Sequence, residues 1–291
     1  MLQGSQPIKW HGGKYYLANW IISHFPPHLA YVEPFFGAGA VLFARDSKRD
    51  WFLGHPECDL QSNGKPKAHH AGASEVINDI NGELSNFWRC LQDDALFSRF
   101  LRRIESTPFS EVEWAAAKAA SGSDRDNVER AVQFFIRYRQ SRQGLGKDFA
   151  TLTRNRTRRG RNEQVSAWLS AVEGLPEAHE RLRNVVILNR DAVEVIRSQD
   201  GPYVLFYCDP PYLLETRTVQ DCYEHEMSNA DHERLLKTLR EVHGKVILSG
   251  YRNAIYDQSL ADWNSVELEI DNKSGSGKTK QKRREILWMN F

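Results

Sequence analysis

An open, mostly parallel α/β sheet, ending in an antiparallel hairpin and interrupted by a helical lobe, is the architecture this 291-residue sequence predicts. Three observations carry it. Short apolar runs recur, each bounded by Gly, Pro, Asn or Asp and separated by helical stretches, which is the order of βαβ units. Between the second and third runs lie about a hundred residues of helical rather than alternating periodicity, far more than a crossover needs. The last two runs flank a Gly/Ser/Lys loop, as the arms of a hairpin do.

Residues 30–36 (Ala-Tyr-Val-Glu-Pro-Phe-Phe) are extended and end in Gly37-Ala38-Gly39, after which Ala40 to Arg45 turns helical in pattern. Ser74–Asn78 is the second strand, and helices are expected over 82–104, 110–120 and 126–139, with Ser110 and Glu113 spaced as a capping box. Asn184–Leu188 is the third strand and enters Asn189-Arg190-Asp191. Tyr203–Cys208, aromatic and β-branched between Gly201-Pro202 and Pro210-Pro211, reads as a buried fourth strand, and Lys245–Ser249 as a fifth. Ser265–Ile270 and Glu285–Asn290 form the terminal hairpin. One domain therefore comprises 1–81 and 184–291, and 82–183 is inserted into it.

A hydrophobic content of 41% suffices for such a core. No apolar stretch approaches a membrane helix, and the first seven residues lack the basic-then-apolar order of a signal peptide, so a cytoplasmic protein without a membrane partner is expected. Cys58, Cys90, Cys208 and Cys222 show neither zinc nor secreted-disulfide spacing and are expected as reduced thiols. His55, Cys58, His69 and His70, in the polar excursion 52–74, match no ligand pattern; that stretch reads as a solvent-facing loop, and no metal is expected.

A net charge of +1 conceals segregation. From Arg137 to Arg161 nine basic residues (Arg137, Arg139, Arg142, Lys147, Arg154, Arg156, Arg158, Arg159, Arg161) face one acid, Asp148; from Lys273 to Arg284 six basic residues, Lys278 and Lys280 among them, face none. Two cationic tracts on an acidic body suit a polyanion held along one face, although solvated loops have the same composition.

Small residues at Gly37-Ala38-Gly39, where a strand hands over to a helix, mark a pocket in which backbone approaches a ligand closely. The third glycine of the dinucleotide fingerprint is absent, which disfavours NAD. Asp79, in Asn78-Asp79-Ile80-Asn81 at the end of the neighbouring strand, is placed to accept two ribose hydroxyls; an N-cap for the helix starting near Gly82 is the other role open to it. Asp191 is similarly placed toward an adenine. Lys9-Trp10-His11-Gly12-Gly13-Lys14 puts two lysines, an aromatic and a glycine pair before a helix, as a ligand-edge loop or a plain lead-in would.

Asp209-Pro210-Pro211-Tyr212, at the end of the fourth strand, is the most informative segment. An aromatic exocyclic amine is a poor nucleophile because its lone pair is delocalised. Acceptors that draw both N–H groups leave that pair facing an electrophile. Asp209 and the Pro210 carbonyl supply two such acceptors, consecutive prolines remove competing N–H donors and stiffen the turn, and Tyr212 offers a face for an extruded base. Cys208 precedes the acid within a strand and reads as core rather than as a nucleophile.

In this order these stretches, with Leu248-Ser249-Gly250-Tyr251 and Arg284-Glu285-Ile286-Leu287-Trp288, resemble the Dam-type DNA adenine-N6 methyltransferases over nearly the whole chain. The resemblance implies a Rossmann-like class I methyltransferase sheet. It implies S-adenosylmethionine as donor and S-adenosylhomocysteine as product, with Trp10, Lys14, Phe35, Gly37, Ala38, Gly39, Asp79 and Asp191 at the cofactor. Asp209, Pro210, Pro211 and Tyr212 would hold a flipped adenine, and Lys9 with the basic tracts would meet double-stranded DNA. A monomer is expected, with a cognate restriction endonuclease as partner where the chain serves a restriction-modification pair. The rival readings are a same-fold enzyme acting on cytosine N4, an RNA base or a protein glutamine, and an inactive DNA-binding relative. Aspartate as first residue of the tetrapeptide favours adenine.

Overall fold

The computed structural model describes residues 6–45, 73–120, 125–152, 156–217, 224–271 and 282–291. The excursion with His55, Cys58, His69 and His70, together with Cys222, Arg154, Lys278 and Lys280, lies outside the described residues. In chain order the described strands are β1 (Ala30–Glu33), β2 (Ser74–Asn78), β3 (Thr157–Arg158), β4 (Arg161–Asn162), β5 (Val185–Leu188), β6 (Val204–Cys208), β7 (Lys245–Gly250), β8 (Asn264–Asp271) and β9 (Lys282–Met289). Seven of them form one sheet in the order β5-β2-β1-β6-β7-β9-β8, and β3-β4 is a separate ribbon. β1 runs parallel to β2 and β6, and β6 parallel to β7, whereas β9 is antiparallel to β7 and β8. This is the expected α/β sheet with its terminal hairpin.

Burial explains why these runs are strands. Every residue of β6 is buried, as an interior strand covered on both faces requires, and β7 is buried from Val246 to Gly250. The edge strand β8 instead alternates between half-buried Val266, Leu268 and Ile270 and exposed Glu267 and Glu269.

The helices are α1 (Ala18–Ile22), α2 (Ala40–Ala44), α3 (Gly82–Gln92), α4 (Asp94–Glu105), α5 (Glu111–Ala119), α6 (Asn127–Arg139), α7 (Glu163–Glu173), α8 (Leu175–Leu182), α9 (Ala192–Gln199), α10 (Asn229–Glu241) and α11 (Ala254–Ser259). The single helix expected over 82–104 is two. Asp93 ends α3 with extended dihedrals, and its carboxylate accepts from the amides of Ala95 and Leu96, starting α4. Nor does the Ser110–Glu113 capping box form: Ser110 makes no side-chain cap, and its amide donates to Gln140 Oε1 at 3.0 Å. α7 and α8 were not foreseen.

The chain divides into two compact units: Met1–Ile22, Gly37–Asp46 and Asp79–Asn189 in one, Ser23–Phe36, Ser47–Asn78 and Arg190–Phe291 in the other. The first has an aromatic interior, in which Phe87 stacks on Phe135 at 5.9 Å and contacts Phe100 and Phe134. The second has its core in Leu205 to Cys208, Val246 to Leu248 and Ile286 to Trp288, with Leu235 and Leu239 of α10 also buried. Among the described residues no helix is long and apolar enough to cross a membrane.

Candidate active site

In the first unit the glycine turn is built around Asp79. Gly37 and Gly39 have φ of 51° and 67°, the left-handed region that favours glycine. The Gly37 amide donates to Asp79 Oδ2 at 2.9 Å, and the Asn81 amide to Asp79 Oδ1 at 2.9 Å. Asp79 is not the cap of α3; Asn81 is, its Oδ1 accepting from the Leu84 amide at 2.9 Å. Asn189 Nδ2 donates to the carbonyls of Asp79 and Ile80, holding this strand exit in place. The indole of Trp10 lies over Gly37, where an added Cβ would sit 3.3 Å from its Cδ1. Ala38 and Lys14 are buried. Ile80 was quoted in the sequence without a role, yet it is 51% exposed beside Asp79. An apolar side chain left in solvent at a strand end is a candidate ligand contact, and only its exposure reveals it.

In the second unit the buried amide of Asn78 staples strand ends together. Its Nδ2 donates to the carbonyls of Pro34 and Arg190, while its Oδ1 accepts from the Arg190 amide. The Phe36 amide donates to the Asn78 carbonyl, which sets Phe35 and the entry to the glycine turn. Asp191 uses Oδ1 to cap α9, accepting from the amides of Val193 and Glu194, and Oδ2 to pair with Arg234.

Asp209 leaves the buried end of β6. Ser249 Oγ, from β7, donates to its Oδ1 at 2.8 Å. Pro210 is buried and Pro211 half-buried. The half-buried Tyr212 donates its hydroxyl to Glu285 of β9 and meets the Tyr251 ring edge-on at 4.7 Å between centroids. Burial raises the Tyr212 hydroxyl well above its ordinary value, with the charges of Asp209 and Glu285 adding to the shift, so it stays a neutral donor. Burial, with Asp209 and Glu33 nearby, likewise drives the Cys208 thiol far up, which favours the neutral thiol over the thiolate. Ser249 and Glu285 are functional candidates that the sequence left unassigned, since cross-strand register alone brings them to the tetrapeptide.

The basic tract divides in two. Lys9 Nζ donates to the Ser141 carbonyl, Arg137 Nε to Gly146, and Arg139 Nη2 to Ala167. Burial lowers Arg139 to about 10, and burial together with Arg139's charge lowers Lys9. By contrast Arg142, Lys147, Arg156, Arg158, Arg159 and Arg161 are exposed. Four of these lie on or beside the β3-β4 ribbon, whose turn Arg159-Gly160 has φ of 54° and 71°, a two-residue loop with both central residues left-handed. Arg156 and Arg159 approach Glu163 and Glu173 at 3.9 Å, whereas Arg158 and Arg161 make no side-chain pairing among the described residues.

Comparison with known proteins identifies relatives of this chain. Over 247 residues, 81% of the chain, it is 26% identical to the "DNA N-6-adenine-methyltransferase" of Escherichia phage P1, of whose length the match spans 28%. It is 24% identical to the "Type II methyltransferase M1.LlaDCHI" of Lactococcus lactis subsp. cremoris, covering 97% of this chain and 94% of that protein. To the "Type II methyltransferase M.MjaIII" of Methanocaldococcus jannaschii it is 22% identical, covering 98% of both. The family model of the D12 class N6 adenine-specific DNA methyltransferases matches residues 10–51 and 66–270, and the chain belongs to that family.

Proposed function

We propose that this chain methylates N6 of a specific adenine in double-stranded DNA, with S-adenosylmethionine as donor. The observation that carries the reading is Asp209, delivered by a buried strand, hydrogen-bonded by Ser249, and followed by two prolines and a tyrosine anchored on Glu285. Family membership implies the donor, and the first unit suits it. Left-handed glycines let backbone approach a ligand closely, the carboxylate of Asp79 stands beside that turn as the proposed ribose contact, and Trp10 and Ile80 offer apolar faces. Ala38 and Lys14 complete the proposed lining in this unit, and Phe35 and Asp191 of the second unit remain candidate cofactor residues by the family resemblance.

When bound, the donor would supply an electrophilic methyl on a cationic sulfur; the adenine amine would attack that carbon directly, without a covalent enzyme intermediate, as the S–C bond breaks and S-adenosylhomocysteine leaves. Asp209 and the Pro210 carbonyl accept hydrogen bonds from the two amine protons, and Asp209 holds the proton lost on alkylation. Tyr212 stacks against the everted ring. Arg142, Lys147, Arg156, Arg158 and Arg159, with Arg154, Lys278 and Lys280, neutralise phosphates while the inserted lobe reads the target; Lys9, Arg137 and Arg139 shape the loop that carries Arg142 and Lys147. The type II names of two relatives support a role beside a cognate restriction endonuclease. A cytoplasmic monomer fits such a role.

The test is transfer of labelled methyl from S-adenosylmethionine to duplex DNA, RNA and protein by the wild type and by Asp209→Ala. Label in DNA adenine that disappears with the variant supports the reading. Label confined to RNA or protein overturns it, as does a trapped Cys208–DNA adduct.

A further inference from the structure

The loop after α6 is tied into a tight knot. Ser141 bridges Phe149 in antiparallel fashion, the Arg142 amide donates to the Asp148 carbonyl, and Ala150 donates to Gln140. Inside it Ser141 Oγ donates to the Tyr138 carbonyl at 2.8 Å and accepts from the Gly146 amide at 2.9 Å. Gln143 and Gly144 both have left-handed dihedrals, φ 56° and 71°, which turn the chain sharply toward the amino-terminal segment.

At that turn no side chain fits. A Cβ on Gly144 would lie 2.6 Å from the Lys9 carbonyl oxygen, 2.7 Å from its carbon and 3.0 Å from the Trp10 nitrogen. All three are main-chain atoms, so relief requires the backbone to move. Lys9 is held on the same loop by its ammonium on the Ser141 carbonyl, 3.1 Å away. Trp10 is then wedged between two surfaces: its ring meets Tyr138 and Phe134 of α6 at 4.9 and 6.1 Å, and its indole covers Gly37.

We infer that Gly144 is a positioning residue for the cofactor site: its missing side chain lets the Ser141–Gly146 loop seat the main chain of Lys9 and Trp10, and so fixes the indole over the Gly37 turn. The inference rests on the proposed reading that Trp10 and Gly37 line the cofactor pocket. Arg142 and Lys147, proposed phosphate contacts, stand on the same loop that packs against the Lys9–Trp10 main chain.

Calorimetric binding of S-adenosylhomocysteine to the full-length, DNA-free protein tests it. Gly144→Ala is expected to weaken binding on the order of tenfold. Gly160→Ala carries a similar penalty for an alanine at positive φ, but its Cβ meets nothing within 4 Å, so it should bind as the wild type does. Lys9→Met, which removes one hydrogen bond without a clash, should cost about threefold. A Gly144→Ala protein that melts cooperatively and binds within about twofold of wild type overturns the inference. Should that variant fail to fold, Lys9→Met decides alone, and wild-type affinity there overturns it equally. Trp10→Ala separates the two levels: if it binds normally, the cofactor reading falls and takes the inference with it. Weakened binding in Trp10→Ala with none in Gly144→Ala or Lys9→Met sinks the inference alone.

Discussion

The tetrapeptide at the end of β6 and the arginine ribbon β3-β4 are opposite solutions to the problem of placing polar groups. Asp209 and Tyr212 are each gripped by a side chain from another strand, and their surroundings are buried. The ribbon has two residues per strand and its guanidiniums are exposed. Directing a lone pair demands acceptors fixed to a fraction of an ångström. Neutralising phosphates tolerates long side chains with many rotamers, because charge acts at a distance.

If the contrast holds, the largest effect comes from the rigid side. Asp209→Asn should reduce methyl transfer by a factor of about a thousand or more while leaving cofactor affinity near wild type, measured by single-turnover transfer beside calorimetry. Residual turnover above about a tenth would break the comparison. Next come the residues that hold the tetrapeptide: Ser249→Ala and Glu285→Gln should lower kcat by about tenfold to a hundredfold with little change in DNA affinity. A rise in Kd for DNA with kcat intact would move both to a structural role.

The buried side is also the pH-sensitive one. Burial lowers His232 from its usual 6.5 to about 4, with Arg217 lowering it further against Asp231, and its Nδ1 pairs with the Tyr256 hydroxyl at 2.9 Å. The unfolded chain therefore binds a proton that the native chain refuses between pH 6.5 and about 4. Stability should fall as pH drops through that window, by up to about 3 kcal/mol. Denaturant titrations of wild type and His232→Asn check this, and an unchanged pH slope in the variant counts against it.

On the exposed side the effects should be smaller and screened. Arg158→Gln should weaken DNA binding about equally across sequences and reduce the slope of log K against log salt by about one. Loss of preference at one base pair, with the slope unchanged, would instead make Arg158 a base reader. Smallest of all, Arg159→Asn should stabilise the ribbon by roughly 0.5 kcal/mol, since asparagine tolerates the positive φ that arginine resists. Thermal melts would register that change.

Most strand positions were legible within a residue because apolar runs between Gly, Pro and Asn are local signals: Ser74–Asn78 matches its strand and Tyr203–Cys208 overshoots by one residue, whereas β9 begins three residues before the expected Glu285, in the basic tract where no apolar signal marks it. The break at Asp93 was hidden, because helical periodicity continues across a residue that caps one helix and starts the next. The Ser110 box failed for a nonlocal reason, competition from Gln140 thirty residues away. Likewise nothing near Arg137 or Arg139 announces that their guanidiniums turn inward to the carbonyls of Gly146 and Ala167.

By itself the order of motifs determined the α/β class and the glycine turn with its neighbouring acid, and it pointed to Asp209 to Tyr212 as the proposed catalytic turn, since each depends on residues adjacent in the chain. The tertiary structure alone decided which side chains fix those residues, which arginines stay in solvent, and that Gly144 must lack a Cβ. Those outcomes depend on atoms that only folding brings within a few ångströms of one another.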